Sequence, residues 1–183
     1  MKKLQVSLAL AVWFMMLVSV GADCPCGSDT KAAKDTTAAR AAFERLKKLV
    51  GDWQIVDSKE KSEAKTIALT YRLTAGGSAL VETVFPGGEQ EMVTVYHRDG
   101  DGLYLTHYCH LGNQPRMRAT IGNDKNELAF EFAGGTNIDP AKDTHMHRAT
   151  IRLVDDDHFT SAWELYKDGK AAGNHGFSVA RVK

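Results

Sequence analysis

The stretch FERLKKLVGDW, residues 43–53, marks the point at which the chain changes its pattern. Up to this point apolar side chains recur at helical spacing, and Phe43, Leu46 and Leu49 fall on one stripe. After Trp53, apolar and polar residues alternate with a period near two as far as the C-terminus. The sequence therefore predicts one short α-helix followed by a long series of β-strands.

The helix is predicted to begin near Asp35 or Thr36 and to end at Gly51. An acidic side chain at its start and Lys47 and Lys48 at its end suit the two poles of the helix dipole. A glycine is the residue type that most often follows the last helical turn.

Clusters of Gly, Asn, Asp and Pro then divide the chain into about ten short segments. The predicted strands are 53–58, 65–74, 78–85, 91–98, 102–110, 115–121, 127–133, 145–153, 158–166 and 174–182. Such short connections require antiparallel neighbours, because a parallel crossover needs about a dozen residues or more. Closure into a barrel removes the exposed edges of the sheet. The predicted fold is an all-β, antiparallel, up-and-down barrel in one domain, residues 36–183, and a two-sheet sandwich is the alternative.

The start and the end of the predicted barrel both resemble a known family. The junction 43–53 resembles the start of lipocalin-like (calycin-type) proteins, in which a short helix runs into Gly-x-Trp on the first strand. Arg181, on the last predicted strand, sits where calycins place an arginine over that tryptophan. The resemblance implies structural roles for Gly51, Trp53 and Arg181 at the base of the barrel. The alternative is an ordinary core tryptophan and a surface arginine.

The stretch THYCHLGNQPRM, residues 106–117, is similar to one in exported bacterial lipocalin-like domains. This resemblance implies a fold but no activity. A weaker similarity is to the haem-binding nitrobindin-like barrels, whose Gly-x-Trp-x-Gly-x-Gly start is not matched because residues 54–57 contain no glycine. The Thr-Asp-Tyr loop of typical lipocalins is also missing from the sequence.

The first 22 residues have the features of a secretory signal peptide. Lys2 and Lys3 precede an apolar run over residues 6–20, which is shorter than the roughly 20 residues needed to span a bilayer. We expect cleavage after Ala22, and hence an exported protein, periplasmic or extracellular, with no integral membrane segment in the mature chain. Residues 23–35 are expected to form a flexible leader.

The mature chain would have 161 of the 183 residues, with 21 basic and 23 acidic side chains. This length suits one domain with a sizeable core. A near-neutral surface gives no electrostatic reason for binding a polyanion, so nucleic acid is not an expected partner. The oligomeric state stays open.

Three cysteines, Cys24, Cys26 and Cys109, leave at least one thiol unpaired within the chain. A bridge from the Cys-Pro-Cys tail to Cys109, a bridge between molecules and free thiols all stay open. A lipid anchor on Cys24 is disfavoured because Asp23 precedes it.

Several polar side chains share faces with apolar residues that are expected to point inward. On the strand 145–153, for example, the two histidines alternate in step with Ala149 and Ile151. The predicted lining of a ligand-binding lumen is His107, Cys109, His145, His147 and Trp163.

The loop after the fifth predicted strand groups two amides beside an arginine. Asn113, Gln114 and Arg116 are therefore predicted to form a polar rim for an acidic or amide-bearing ligand. The alternative is a tight hairpin turn with solvated arginines.

A His-x-His pair on a strand places two imidazoles on one side, as in many metal sites of β-sheets. His145 and His147 are thus candidate metal ligands, with His107 as the third. Haem is a related alternative, in which one imidazole binds iron and apolar walls enclose the ring. The candidate walls are Met92, Met117, Phe130, Phe132 and Trp163. The simpler interpretation is that no cofactor binds and that the histidines are hydrogen-bonded lining residues.

The expected function is an exported, non-catalytic protein that holds a partly apolar small molecule in its lumen. The alternative is a metal- or haem-binding barrel with modest enzymatic activity. A third interpretation is a structural domain with a filled core. No catalytic residue is predicted, since the sequence has no nucleophile elbow, phosphate loop or dinucleotide fingerprint.

Overall fold

The structure is a computed structural model that describes residues 37–56 and 66–183. The predicted signal peptide, the predicted leader, Cys24 and Cys26 lie outside the described residues. The described part contains the helix α1 (Thr37–Lys47), a 3-10 turn (Ala75–Gly77) and ten strands. The strands are β1 Gly51–Ile55, β2 Ile67–Thr74, β3 Ala79–Val84, β4 Met92–Asp99, β5 Gly102–Tyr108, β6 Gln114–Thr120, β7 Glu127–Thr136, β8 His145–Leu153, β9 His158–Lys167 and β10 Lys170–Arg181.

The ten strands form one closed antiparallel barrel. Each strand pairs with its neighbours in the sequence, and β1 pairs with both β2 and β10 to complete the circle. The predicted up-and-down barrel with one preceding helix is confirmed. The two-sheet sandwich is excluded, because its sheets would have free edges where β1 and β10 are paired here.

Because successive strands alternate in direction, their connections fall at two ends of the barrel. One end, which we call the base, receives α1 and the connections β2–β3, β4–β5, β6–β7 and β8–β9. The other end, which we call the mouth, has the connections β3–β4, β5–β6, β7–β8 and β9–β10. The end of β1 and the start of β2 also lie at the mouth, and residues 57–65 between them are outside the described part.

Helix α1 closes the base. Its apolar stripe, Ala39, Ala42, Phe43 and Leu46, is buried, and the helix packs against β4 and β5. The helix ends at Lys47, earlier than predicted from the position of Gly51. The physical reason is that the following carbonyl groups bond to side chains of the barrel, which act in place of further helical turns.

Three residues hold this junction together. The Arg181 guanidinium lies over the Trp53 ring, 4.2 Å from its centroid, and Trp53 Nε1 donates a 2.7 Å hydrogen bond to the Leu49 carbonyl. Arg181 also donates to the carbonyl oxygens of Val50 at 2.7 Å and of Lys48 at 2.8 Å. A glycine is needed at position 51, because its φ is +129° and a Cβ would lie 2.9 Å from Arg181 Nη1.

Large side chains fill the interior next to the base. Trp53 meets Phe159 edge to face at 4.7 Å, and Phe159 meets Tyr71 in the same way at 5.9 Å. All three are buried, together with Leu69 and Leu80. The lower half of the barrel is therefore a packed core, and any open interior must lie towards the mouth.

Replacing Arg181 with Met should lower the free energy of unfolding by about 2–4 kcal/mol, because carbonyl groups lose their donors and the indole loses its cation. Chemical denaturation of the two proteins measures this difference. Arg152→Met is the control, since Arg152 forms solvent-accessible ion pairs with Glu127 and Asp124 and its loss should change stability by less than about 1 kcal/mol. Equal losses in the two variants would contradict the structural role of Arg181.

Candidate functional site

A cavity of about 610 Å³ lies in the mouth half of the barrel. Most of its surface is apolar and comes from Val84, Phe85, Met92, Met146, Leu165 and Phe177. Exposed residues, including Gln90, Leu111 and His175, form its rim, whereas Trp163 and His107 at its depth are buried. Its volume falls within the roughly 300–1,000 Å³ of small-molecule sites. The cavity thus leads from solvent to the middle of the barrel.

A row of four polar side chains crosses the inside of the barrel at the depth of this cavity. Tyr71, Glu82, Thr94 and His107 are successive cross-strand partners on β2, β3, β4 and β5. All four are buried, and Glu82 and His107 line the cavity. Polar residues on the inward faces of four adjacent strands are unusual, because each must find a partner away from water.

Hydrogen bonds connect the members of this row. Tyr71 Oη donates to Glu82 Oε1 and Tyr96 Oη donates to Glu82 Oε2, both at 2.7 Å. Thr94 also hydrogen-bonds to the Glu82 carboxyl group, and its Oγ1 lies 3.0 Å from His107 Nδ1. Burial raises the pKa of Glu82, although the three hydroxyl groups around it act in the opposite direction.

His107 is the member of the row that has an unused polar atom. Its side chain is 3% exposed, its ring lies 4.8 Å from that of Trp163, and its buried Nε2 has no hydrogen-bond partner in the described part of the chain. Burial, and to a lesser extent the nearby His110, lowers the pKa of His107 to about 4. The imidazole is therefore neutral at pH 7, and it belongs to a residue that lines a mostly apolar cavity and has one unpartnered nitrogen.

His145 and His147, which were predicted to face the lumen, are not among the residues that line the mouth cavity. A β-bulge between Met146 and Arg148 shifts the register of β8 against β9, and Met146 lines the cavity instead. The extra residue breaks the alternation on which the prediction depended. His147 stacks on Tyr166 at 3.8 Å between ring centroids, and its Nδ1 lies 3.0 Å from His145 Nε2.

The three candidate metal ligands do not come together. His107 lines the cavity, whereas His145 and His147 contact Phe132 and Tyr166. Within residues 37–56 and 66–183, no group of three or more His, Cys, Asp or Glu side chains is placed to hold a metal ion.

Cys109 is a buried thiol beside the cavity and not part of its lining. It is 7% exposed, and burial raises its pKa, so the reactive thiolate is disfavoured. Its possible partners Cys24 and Cys26 lie outside the described residues.

Asn113 and Gln114 serve the loops at the mouth and do not line the cavity. Asn113 is buried and its Nδ2 donates to the Thr144 carbonyl at 2.8 Å, which ties the β5–β6 connection to the β7–β8 connection. Gln114 Oε1 accepts a 2.6 Å hydrogen bond from Thr136 Oγ1. These contacts fit the hairpin alternative better than a polar rim.

Arg116 does not line the cavity either. It donates to Asp99 at 3.0 Å, and its guanidinium lies 4.2 Å from the centroid of Tyr104. Tyr104 is on β5, the strand next to β6, and Asp99 is the exposed last residue of β4. Of the eight predicted ligand-binding residues, the cavity thus contains His107 and Trp163.

The sequence argument missed Glu82 and its partners. Glu82 is visible as a charged residue between Leu80 and Val84, and Thr94 alternates with Tyr96 in the same way. A polar residue flanked at i−2 and i+2 by apolar ones is the signal that could have found them. Their connection depends on the cross-strand register, which alternation within one strand does not determine.

Comparison with known proteins does not assign the chain to a family. No protein-family model matches the chain, and no curated protein matches it in sequence. Among the described residues, the single helix is too short to cross a bilayer.

Lowering the pH from 7 to 5 should destabilise the wild type by about 2 kcal/mol more than His107→Gln. The unfolded imidazole takes up a proton near its ordinary pKa of 6.5, whereas the folded one stays neutral down to about pH 4. The unfolded state therefore binds more protons in this window, and stability falls as the pH falls. Denaturation curves at both pH values measure the difference, and parallel losses in the two proteins would refute the burial effect.

Proposed function

We propose that this protein is an exported lipocalin-like carrier that binds a partly apolar small molecule in the mouth cavity. The observation that carries the proposal is the cavity of about 610 Å³ that leads from an exposed rim to His107 and Trp163. The closed barrel, the preceding helix and the contact of Arg181 with Trp53 support the lipocalin-like part. Export is supported by the signal-like sequence of residues 1–22.

The chemistry of the lining favours binding over catalysis. With a pKa of about 4, His107 is a weak base at neutral pH, far from the value that suits a general base. Both oxygens of Glu82 are already bonded to the hydroxyl groups of Tyr71 and Tyr96. An apolar wall with very few polar groups is the usual composition of a binding pocket.

The proposal is tested with N-phenyl-1-naphthylamine, a neutral fluorophore that carries one N–H group and whose emission reports the polarity around it. The wild type should bind it with a blue-shifted emission. Met92→Trp should weaken binding by at least about tenfold, because the larger side chain occupies the cavity.

Val95→Trp is the matched control for this experiment. Val95 is on the same strand as Met92 but alternates with the buried Thr94 and Tyr96, so its side chain is on the outer face. We expect its affinity for the fluorophore to stay within about twofold of the wild type. A wild type that does not bind the fluorophore, or a Met92→Trp variant that binds it normally, would count against the carrier function.

Haem is a second candidate, favoured by one observation. A neutral, buried and unpartnered imidazole nitrogen such as His107 Nε2 is the type of group that binds haem iron. The fit is partial, because Met92 and Trp163 line the cavity whereas Met117 and Phe130 lie outside its lining. Titration with haemin should then give a Soret band that His107→Leu removes, and an unchanged band in the variant would exclude His107 as the ligand.

A further inference from the structure

We infer that the mouth cavity selects apolar molecules that carry a neutral hydrogen-bond donor, a hydroxyl or N–H group, and that this donor bonds to His107 Nε2. The inference rests on the proposed carrier function and names the class of ligand. It follows from the direction of the hydrogen bonds along the row Tyr71, Glu82, Thr94 and His107, together with the unpartnered nitrogen at its end.

The direction begins at Glu82. Its two oxygens each accept a hydrogen bond from a phenol, Oε1 from Tyr71 and Oε2 from Tyr96. Hydrogen bonds from hydroxyl groups favour the ionised form of this carboxyl group against the effect of burial, and a carboxylate can only accept and has capacity for further donors. Thr94, which lies opposite Glu82 on β4, hydrogen-bonds to the same carboxyl group. The single hydroxyl proton of Thr94 is therefore directed to Glu82.

The next bond fixes the tautomer of His107. With its proton given to Glu82, Thr94 Oγ1 can only accept from His107 Nδ1, which lies 3.0 Å away. A neutral imidazole has one N–H group, so that proton is on Nδ1. The lone pair on Nε2 is then the polar group that the row presents at its far end.

This lone pair is well isolated. Nε2 is buried and has no partner among the described residues, and the ring lies 4.8 Å from the Trp163 ring. A buried acceptor without a donor destabilises the protein, so a ligand that supplies one gains affinity. A ligand whose only polar group is an ether or ester oxygen would bring two lone pairs together. A carboxylate would add a negative charge near Glu82, which lines the same cavity.

The test compares 2-naphthol with 2-methoxynaphthalene, which has the same ring system but no donor. By isothermal titration at pH 7, we expect the wild type to bind 2-naphthol about tenfold more tightly than the ether. His107→Leu should reduce this preference to within about twofold. His158→Leu, at the base end of β9 and outside the lining of the cavity, is the control and should keep the preference.

Thr94 acts as a positioning residue, and two variants separate its hydroxyl from its shape. Thr94→Val should lose most of the preference for 2-naphthol because the imidazole proton is no longer held on Nδ1. Thr94→Ser keeps the hydroxyl and should keep the preference. Nitrogen-15 NMR of the ligand-free wild type gives an independent readout, in which we expect the His107 proton on Nδ1.

Each failure has a distinct meaning. Equal affinity of the wild type for the two naphthalenes, or a His107 proton on Nε2, would overturn the inference. If the wild type binds the fluorophore used above but binds 2-naphthol and 2-methoxynaphthalene with equal affinity, the carrier function stands and the preference for a donor is refuted. If the fluorophore and both naphthalenes fail to bind, both proposals fall.

Discussion

The contact between the Arg181 guanidinium and the Trp53 indole is the constraint on which the rest of the barrel depends. The closing pair β1–β10 has only three register partners, beginning with Trp53 opposite Arg181. A closure this short is weak if backbone hydrogen bonds alone hold it. The guanidinium adds bonds to the carbonyls of Lys48 and Val50, so the first strand, the last strand and the end of the helix are fastened at one point.

The interior of the barrel has two halves that differ in packing. Near the base the interior is filled by aromatic and aliphatic side chains, which supply the stability of a chain of this size. The mouth half is left with space, and the polar row lies between the two. Tyr71, Glu82 and Thr94 are mutually bonded, so the energetic penalty of burying them is largely offset within the row itself. His107 Nε2 is the atom of the row that is not satisfied in this way.

The sequence predicts the fold well because alternation and turn residues are local signals. Strand β8, for example, was predicted at 145–153 and lies at His145–Leu153. The first strand was predicted two residues late, since the turn before Gly51 is stabilised by Arg181, more than 100 residues away in the chain. The site is harder to predict. His107 and Trp163 follow from alternation, whereas the bulge between Met146 and Arg148 has no signal in the residue pattern.

One buried acceptor in an apolar wall can discriminate between ligands more strongly than the apolar surface around it. Apolar contacts discriminate weakly, because an extra or missing methylene changes binding by only about 1–3 kcal/mol. A polar group that stays unpaired with the wrong ligand rejects that ligand more strongly, since the free energy of desolvating the group is not recovered. In the tautomer that we infer, the bonds from Glu82 through Thr94 keep the proton of His107 on Nδ1, and Nε2 is left as an acceptor. For the carrier proposed here, the polar row would let a mostly apolar cavity distinguish hydrogen-bond donors from acceptors.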